Sequence, residues 1–156
     1  MINRITLAAL IFLQGSTFCQ AANEPLVGKW QLDQQEINDE KIPTDLPLTL
    51  TITKSGEKLG FAFSVPVNNV DVVSMTYEVK LDGSEADVKD GKGEKVGTVE
   101  MSADGPSRYS LTLKRPNRPD SMGHLTVSAD GKTLTSESDM RRGAKALHSK
   151  QVFKRQ

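Results

Sequence analysis

Val72-Val73-Ser74-Met75-Thr76-Tyr77-Glu78-Val79-Lys80-Leu81 alternates without a break from residue 73 onward. Val73, Met75, Tyr77, Val79 and Leu81 fall on one side, and Ser74, Thr76, Glu78 and Lys80 on the other. Successive side chains of a strand point to opposite faces, so this row predicts a long strand with one face buried and one wet. Just upstream, Leu59, Phe61, Phe63 and Val65 share a face against Gly60, Ala62 and Ser64. Asn68-Asn69 separates the two runs, and asparagine tolerates the positive φ of a tight two-residue turn. The two runs read as a hairpin.

The same pattern extends both ways. Leu48, Leu50 and Ile52 alternate with Thr49, Thr51 and Thr53, and Tyr109, Leu111 and Leu113 with Ser110, Thr112 and Lys114. Leu125 and Val127 follow, then Leu134, and finally Leu147, Gln151 and Phe153. Gly-containing turns such as Ser55-Gly56, Asp82-Gly83, Asp90-Gly91, Asp104-Gly105, Asp130-Gly131 and Arg142-Gly143 punctuate these runs. Such spacing predicts an all-β, antiparallel up-and-down meander of about eight to ten strands. Closing the meander into a barrel removes its exposed edges. A β-sandwich would show the same alternation and is the alternative. A barrel of that size leaves an interior about wide enough for one small ligand.

Two segments break the rhythm. Residues 34–47 are polar, and Pro43 and Pro47 limit any helix to a turn or two around Gln35–Lys41. The stretch Arg115-Pro116-Asn117-Arg118-Pro119-Asp120-Ser121 predicts a wide, basic connection at a barrel end, placed to frame a mouth.

The N-terminal residues have another character. Arg4 precedes an apolar run from Ile5 to Leu13, and small and polar residues lead to Cys19-Gln20-Ala21. That is the layout of a secretory signal occupying 1–21, followed by one domain at 22–156, periplasmic or secreted. The apolar run is too short for a membrane span of ~20 residues, and no later stretch approaches that length. The mature chain is therefore expected to lack a transmembrane segment. Cys19 is the only cysteine, and cleavage would remove it. A lipid anchor on Cys19 fits poorly, because bulky Phe18 precedes it.

The net charge of zero conceals a division. Residues 22–107 carry 8 Lys/Arg against 16 Asp/Glu, while 108–156 carry 11 against 4. These charges coat outward strand faces, with acidic and basic halves attracting where the meander closes, or they form a basic face for an anionic ligand or surface.

Catalytic motifs are missing from the sequence. It has no Gly-x-Ser-x-Gly elbow, and Asp90-Gly91-Lys92-Gly93 lacks the continuation of a phosphate loop. His124 and His148 are opposite in parity to Leu125, Leu147 and Phe153, hence outward. Asp87, Asp90 and Glu94 read as a solvated hairpin tip rather than a metal site. The expectation is a protein that is not an enzyme and holds no cofactor or metal. Nucleic acid is excluded as a partner, because the few aromatics lie on the apolar stripe instead of interleaving with Lys and Arg.

Gly28-Lys29-Trp30 resembles the opening of lipocalin-like proteins, whose first strand carries Gly-x-Trp. Tyr77 to Gly83, Tyr109 to Arg115 and Leu125 to Leu134 resemble small exported bacterial lipocalin-like proteins of unknown activity. The resemblance implies a calycin-type barrel whose Trp plugs the closed end, with a cation from the last strand over its ring. Trp30 and Arg155 are the matching residues. The chain departs from related barrels in having no disulfide, and 34–47 is too short for the two-helix lid of fatty-acid-binding proteins.

The inward stripe offers Phe61, Phe63, Met75, Tyr77, Tyr109 and Leu111 as ligand-binding candidates. They either line a pocket for a small, mostly apolar molecule or fill the barrel completely. A filled core would point instead to a cell-envelope interaction module that engages a protein partner through its outer face.

Overall fold

The computed structural model describes residues 24–45, 47–142 and 145–156; the expected signal at 1–21 lies outside them. Eleven strands run in sequence order: β1 (Gly28–Ile37), β2 (Glu40–Ile42), β3 (Thr49–Ser55), β4 (Lys58–Val67), β5 (Val70–Lys80), β6 (Asp82–Asp90), β7 (Lys95–Ala103), β8 (Arg108–Lys114), β9 (Ser121–Val127), β10 (Thr133–Arg142) and β11 (Lys145–Arg155). Each strand from β3 to β10 pairs antiparallel with its successor, and β3 pairs with β1. The ring then closes, because β1 pairs antiparallel with β11, Trp30 opposite Arg155 and Leu32 opposite Phe153. Two packed sheets would leave those edge strands apart, so the sandwich is excluded. Ten strands form the ring, and β2 is a short extra strand on the outer half of β1.

Residues 34–47 differ from the expected helical turn. Strand β1 continues to Ile37, and Asn38 and Asp39 turn the chain with φ of 49° and 66° before β2 returns along it. Both residues sit in the left-handed region that a two-residue hairpin requires, and Asn and Asp enter it more cheaply than other non-Gly residues. The pairing with β11, Gln35 opposite Gln151 and Ile37 opposite Ser149, supplies strand hydrogen bonds that no two-turn helix could match.

The alternation that defines β5 also fails at one point. Phe63 pairs with Met75, but Ser64 pairs with Val73, which leaves Ser74 as an extra residue. Its hydroxyl donates to the Phe63 carbonyl at 3.1 Å. This bulge resets the register, and Val73, expected on the inner face, is exposed. From Val65 and Val72 outward the β4 and β5 segments pair only with each other. They form a two-stranded ribbon that projects past the rim, with Val67, Val70, Val72 and Val73 exposed.

Antiparallel order sorts the connections into two ends. The turns after β3, β5, β7 and β9 share one end with residues 24–27, and those after β4, β6 and β8 share the other. The first end is packed shut. Leu26, Trp30, Ile52, Leu59, Val79 and Leu134 are fully or almost fully buried there or along the lower barrel wall. The Trp30 indole donates to the Leu26 carbonyl at 2.9 Å. The Arg155 guanidinium lies 4.1 Å from the Trp30 ring centroid and donates to the carbonyls of Gly131, Val27 and Pro25. Gly28 makes this possible. A Cβ there would stand 2.5 Å from Arg155 Nη1, and its φ of 152° is one that L side chains rarely adopt. The spacing of glycine and tryptophan in Gly28-Lys29-Trp30 thus has a steric cause.

Candidate functional site: an interior cavity and its mouth

Above the packed end the barrel is not full. A cavity of about 160 Å³ lies between Phe61, Phe63, Met75 and Tyr77 on one side and Leu111, Leu113 and Phe153 on the other. Phe61 stacks on Tyr77 with centroids 4.7 Å apart and ring planes 20° apart, and Phe63 tilts onto Tyr77 at 6.0 Å. The three rings come from facing positions on β4 and β5, Phe61 opposite Tyr77 and Phe63 opposite Met75. Cross-strand pairs of this kind hold aromatic rings at fixed spacing, so the apolar wall is rigid.

The opposite wall carries polar groups. Ser121, Ser136, Ser138 and Gln151 line the same space from β9, β10 and β11. Composition does not mark Ser136 and Ser138 as site residues. Their signal was parity: Ser136 and Ser138 continue the inward row that starts at Leu134, and Ser136 stands opposite both Leu125 and Gln151. The cavity therefore offers aromatic surface on one side and hydroxyl and amide groups on the other.

Five of the six candidate ligand residues, Phe61, Phe63, Met75, Tyr77 and Leu111, border this cavity. Tyr109 faces inward but sits one step nearer the closed end, where its hydroxyl donates to Glu24. Burial holds the Tyr77 phenol well above its ordinary pKa. For Tyr109 burial acts first, and the Glu24 hydrogen bond and charge add to it.

At its open end the cavity meets a wider basin of about 530 Å³. Phe63, Met75 and Gln151 border both spaces, so the two lie side by side. Leu48, Ser74, Val96, Arg115, Pro116 and Arg118 complete the basin. The β8–β9 connection thus stands at the mouth.

Elsewhere the surface brings together chemistry-bearing groups that do not make a reactive site. Ser110 and His124 are cross-strand partners on the outer face of β8 and β9. The Ser110 hydroxyl donates to Asp104, and His124 Nδ1 lies 3.4 Å from Ser110 Oγ and 3.7 Å from Asp104 Oδ2. A catalytic imidazole stands between serine and carboxylate and uses both of its nitrogens. Here a single nitrogen faces both, and the serine proton goes to the carboxylate, so the hydroxyl is not activated. His148 pairs with Asp139 at 2.9 Å on β11 and β10, and β10 separates it from His124. At the β6–β7 turn, Asp90 accepts from the backbone N–H groups of Lys92 and Glu94, while Asp87 pairs with Lys95. No group of three or more His, Cys, Asp or Glu side chains is placed to hold a metal ion among the described residues.

No family model matches the chain, and no curated protein matches it in sequence. Solved structures do. Zebrafish ileal bile acid-binding protein complexed with cholic acid superimposes with a TM-score of 0.57 at 19% identity, covering 85% of this chain and 99% of that one. The Schistosoma mansoni fatty acid binding protein in complex with arachidonic acid gives 0.56 at 17%, covering 85% and 96%. A point mutant of a fatty acid transporter gives 0.54 at 18%, covering 84% and 98%. The fold, a closed antiparallel β-barrel, is calycin-like. At these identities the likeness extends to architecture alone.

Proposed function

We propose that this protein is an exported, non-catalytic barrel that binds and carries a small, mostly apolar molecule. The observation that carries the reading is the cavity next to the mouth, walled by Phe61, Phe63, Met75, Tyr77 and Leu111. Neighbouring structures of the same architecture, named for binding bile acid and fatty acid, support it by analogy. The enclosed space is close to that of an engineered cavity that takes up benzene, ~150 Å³. Only one end or one ring of a ligand fits inside, and the rest lies in the basin. The hydroxyl groups of Ser136 and Ser138 and the Gln151 amide give a bound molecule orientation.

Phe63 stands where cavity and basin join, which makes it the position to test. Phe63→Glu is expected to abolish saturable binding of N-phenyl-1-naphthylamine, a neutral fluorescent dye, because a carboxylate would be desolvated at the neck. Thr51→Ser and Lys80→Gln, on the outward faces of β3 and β5, are expected to leave it unchanged. Wild-type protein that shows no saturable uptake would sink the carrier reading.

Export rests on the N-terminal residues, with Cys19 and Ala21 at the small positions before the cut. The mature protein recovered from its native host is expected to begin at Ala22 or Asn23, as peptide mapping would show. Recovery of Met1 or of a lipidated Cys19 would overturn this.

A second reading is favoured by the projecting β4–β5 ribbon. Exposed Val67, Val70, Val72 and Val73 suit docking onto a cell-envelope protein partner. On that reading, charged substitutions at Val70 and Val72 abolish partner capture and leave dye binding intact.

A further inference from the structure

Arg115 continues the inward row of β8. Tyr109, Leu111 and Leu113 face the barrel interior, and Arg115 has their parity one step beyond the end of the strand. It therefore points a cation across the mouth. Its stem crosses β7 at Gly97, where an added Cβ would meet Arg115 Cγ at 3.2 Å and the Lys114 carbonyl at 2.3 Å. One end of the guanidinium donates to the Met75 sulfur at 3.4 Å, a weak acceptor. Its Nε is buried and has no hydrogen-bond partner. Burying a guanidinium N–H unpaired is costly, and such groups normally find an acceptor.

Among the described residues, those that line the basin supply no counter-charge. The basin residues include Arg115 and Arg118 and no Asp or Glu. Among the described residues the ion pairs use other cations, and neither arginine takes part in one. Asp120, the acid of the same connection, acts on Lys114 instead. Burial and the neighbouring Arg118 both work against the charge on Arg115. Two unneutralised cations at the neck of an apolar cavity are complementary to one kind of ligand.

We propose that the ligand is an amphipath with an anionic head, carboxylate or sulfonate in chemistry, seated on Arg115 and Arg118 at the mouth with its apolar end directed inward. The proposal rests on the carrier reading above and fixes both the class of ligand and its direction. The interior of about 160 Å³ takes the apolar end, while the head stays in the basin that Arg115 and Arg118 line. Arginine suits this role because its planar fork matches an oxyanion with two donors.

The test uses a matched pair of dyes: 1-anilinonaphthalene-8-sulfonate and N-phenyl-1-naphthylamine, which share the ring system and differ by the sulfonate. Arg115→Gln is expected to weaken the sulfonate dye about tenfold or more and the neutral dye less than about twofold. Arg118→Gln acts in the same direction, and Arg115→Lys retains part of the affinity. Parallel loss of both dyes would show a structural role for Arg115 and overturn the proposal, as would unchanged binding of both.

If wild-type protein binds neither dye, the carrier reading fails and this proposal with it. If the neutral dye alone depends on the cavity, the carrier reading stands and only the anionic head falls. A vesicle arm separates free amphipath from bilayer headgroup. If Arg115→Gln releases the protein from phosphatidylglycerol vesicles while leaving the sulfonate dye unchanged, the arginines serve a membrane surface and the proposal is overturned.

Discussion

Replacing Trp30 with alanine is expected to lower the unfolding free energy by about 3–5 kcal/mol, within the range for buried aromatic truncations. The indole has no exposed surface, and three losses coincide at its site. The ring volume becomes a cavity in the packed end. The Leu26 carbonyl loses its donor at 2.9 Å. Arg155 loses the aromatic face 4.1 Å away, a contact worth ~0.5–2 kcal/mol. Urea melts followed by circular dichroism would measure the change as a lower midpoint with an unchanged slope. Trp30→Phe keeps most of the ring and should cost less. A loss below about 1 kcal/mol for the alanine variant would mean that the closed end is not organised around the indole.

The second large effect is at high pH. The sequence contains two tyrosines, and both phenols are held well above the ordinary value of 10.0. A raised folded-state pKa means that the fold favours the neutral form. The stability this contributes is complete below pH 10 and is lost as pH rises from there toward the folded-state values. Each phenol then costs about 1.4 kcal/mol per pH unit, because only the unfolded chain ionises. Phenolate absorbance is expected to stay flat past pH 10 and then to rise together with the loss of circular dichroism, both tyrosines at once. Tyr109→Phe should roughly halve the slope of stability against pH. A phenolate signal with a midpoint near pH 10 in a protein that is still folded would contradict the burial of these rings.

The architecture was legible wherever one face of a strand is apolar. The rows at 48–53, 59–65 and 109–113 coincide with β3, β4 and β8, and Asn68-Asn69 turns the chain with φ of 52° and 63°. What misled the sequence reading was polarity. The second half of β1, Gln34-Gln35-Glu36-Ile37, has no alternation to detect, since only pairing with β11 and β2 makes it a strand. Asn38-Asp39 carried the turn signal, but without flanking apolar rows it did not look like a hairpin. The bulge at Ser74 was equally silent, because an extra residue in a strand changes facing without changing composition.

The candidate site shows a second limit. Parity says which side chains point inward, but the height of each along the barrel axis depends on strand tilt and stagger. Phe61, Phe63, Met75, Tyr77 and Leu111 border one cavity, whereas Tyr109, on the same face of β8 as Leu111, lies lower and reaches Glu24. Ser136 and Ser138 escaped notice for the converse reason: inward position was judged by apolarity, and a polar wall does not announce itself.

The pairing of β1 with β11 has a topological corollary. The sheet's first and last strands are neighbours, and the Gln156 amide donates to the Lys29 carbonyl at 2.9 Å. On the ribosome the ring cannot shut until β11 has emerged, since its closing seam joins residues more than a hundred positions apart. In the finished molecule the same adjacency makes the order of strands circular. A chain that joined its two ends by a short linker and began instead at Asn69 would traverse the same ten staves in the same cyclic order. The barrel is a closed cycle that the chain enters and leaves beside Trp30.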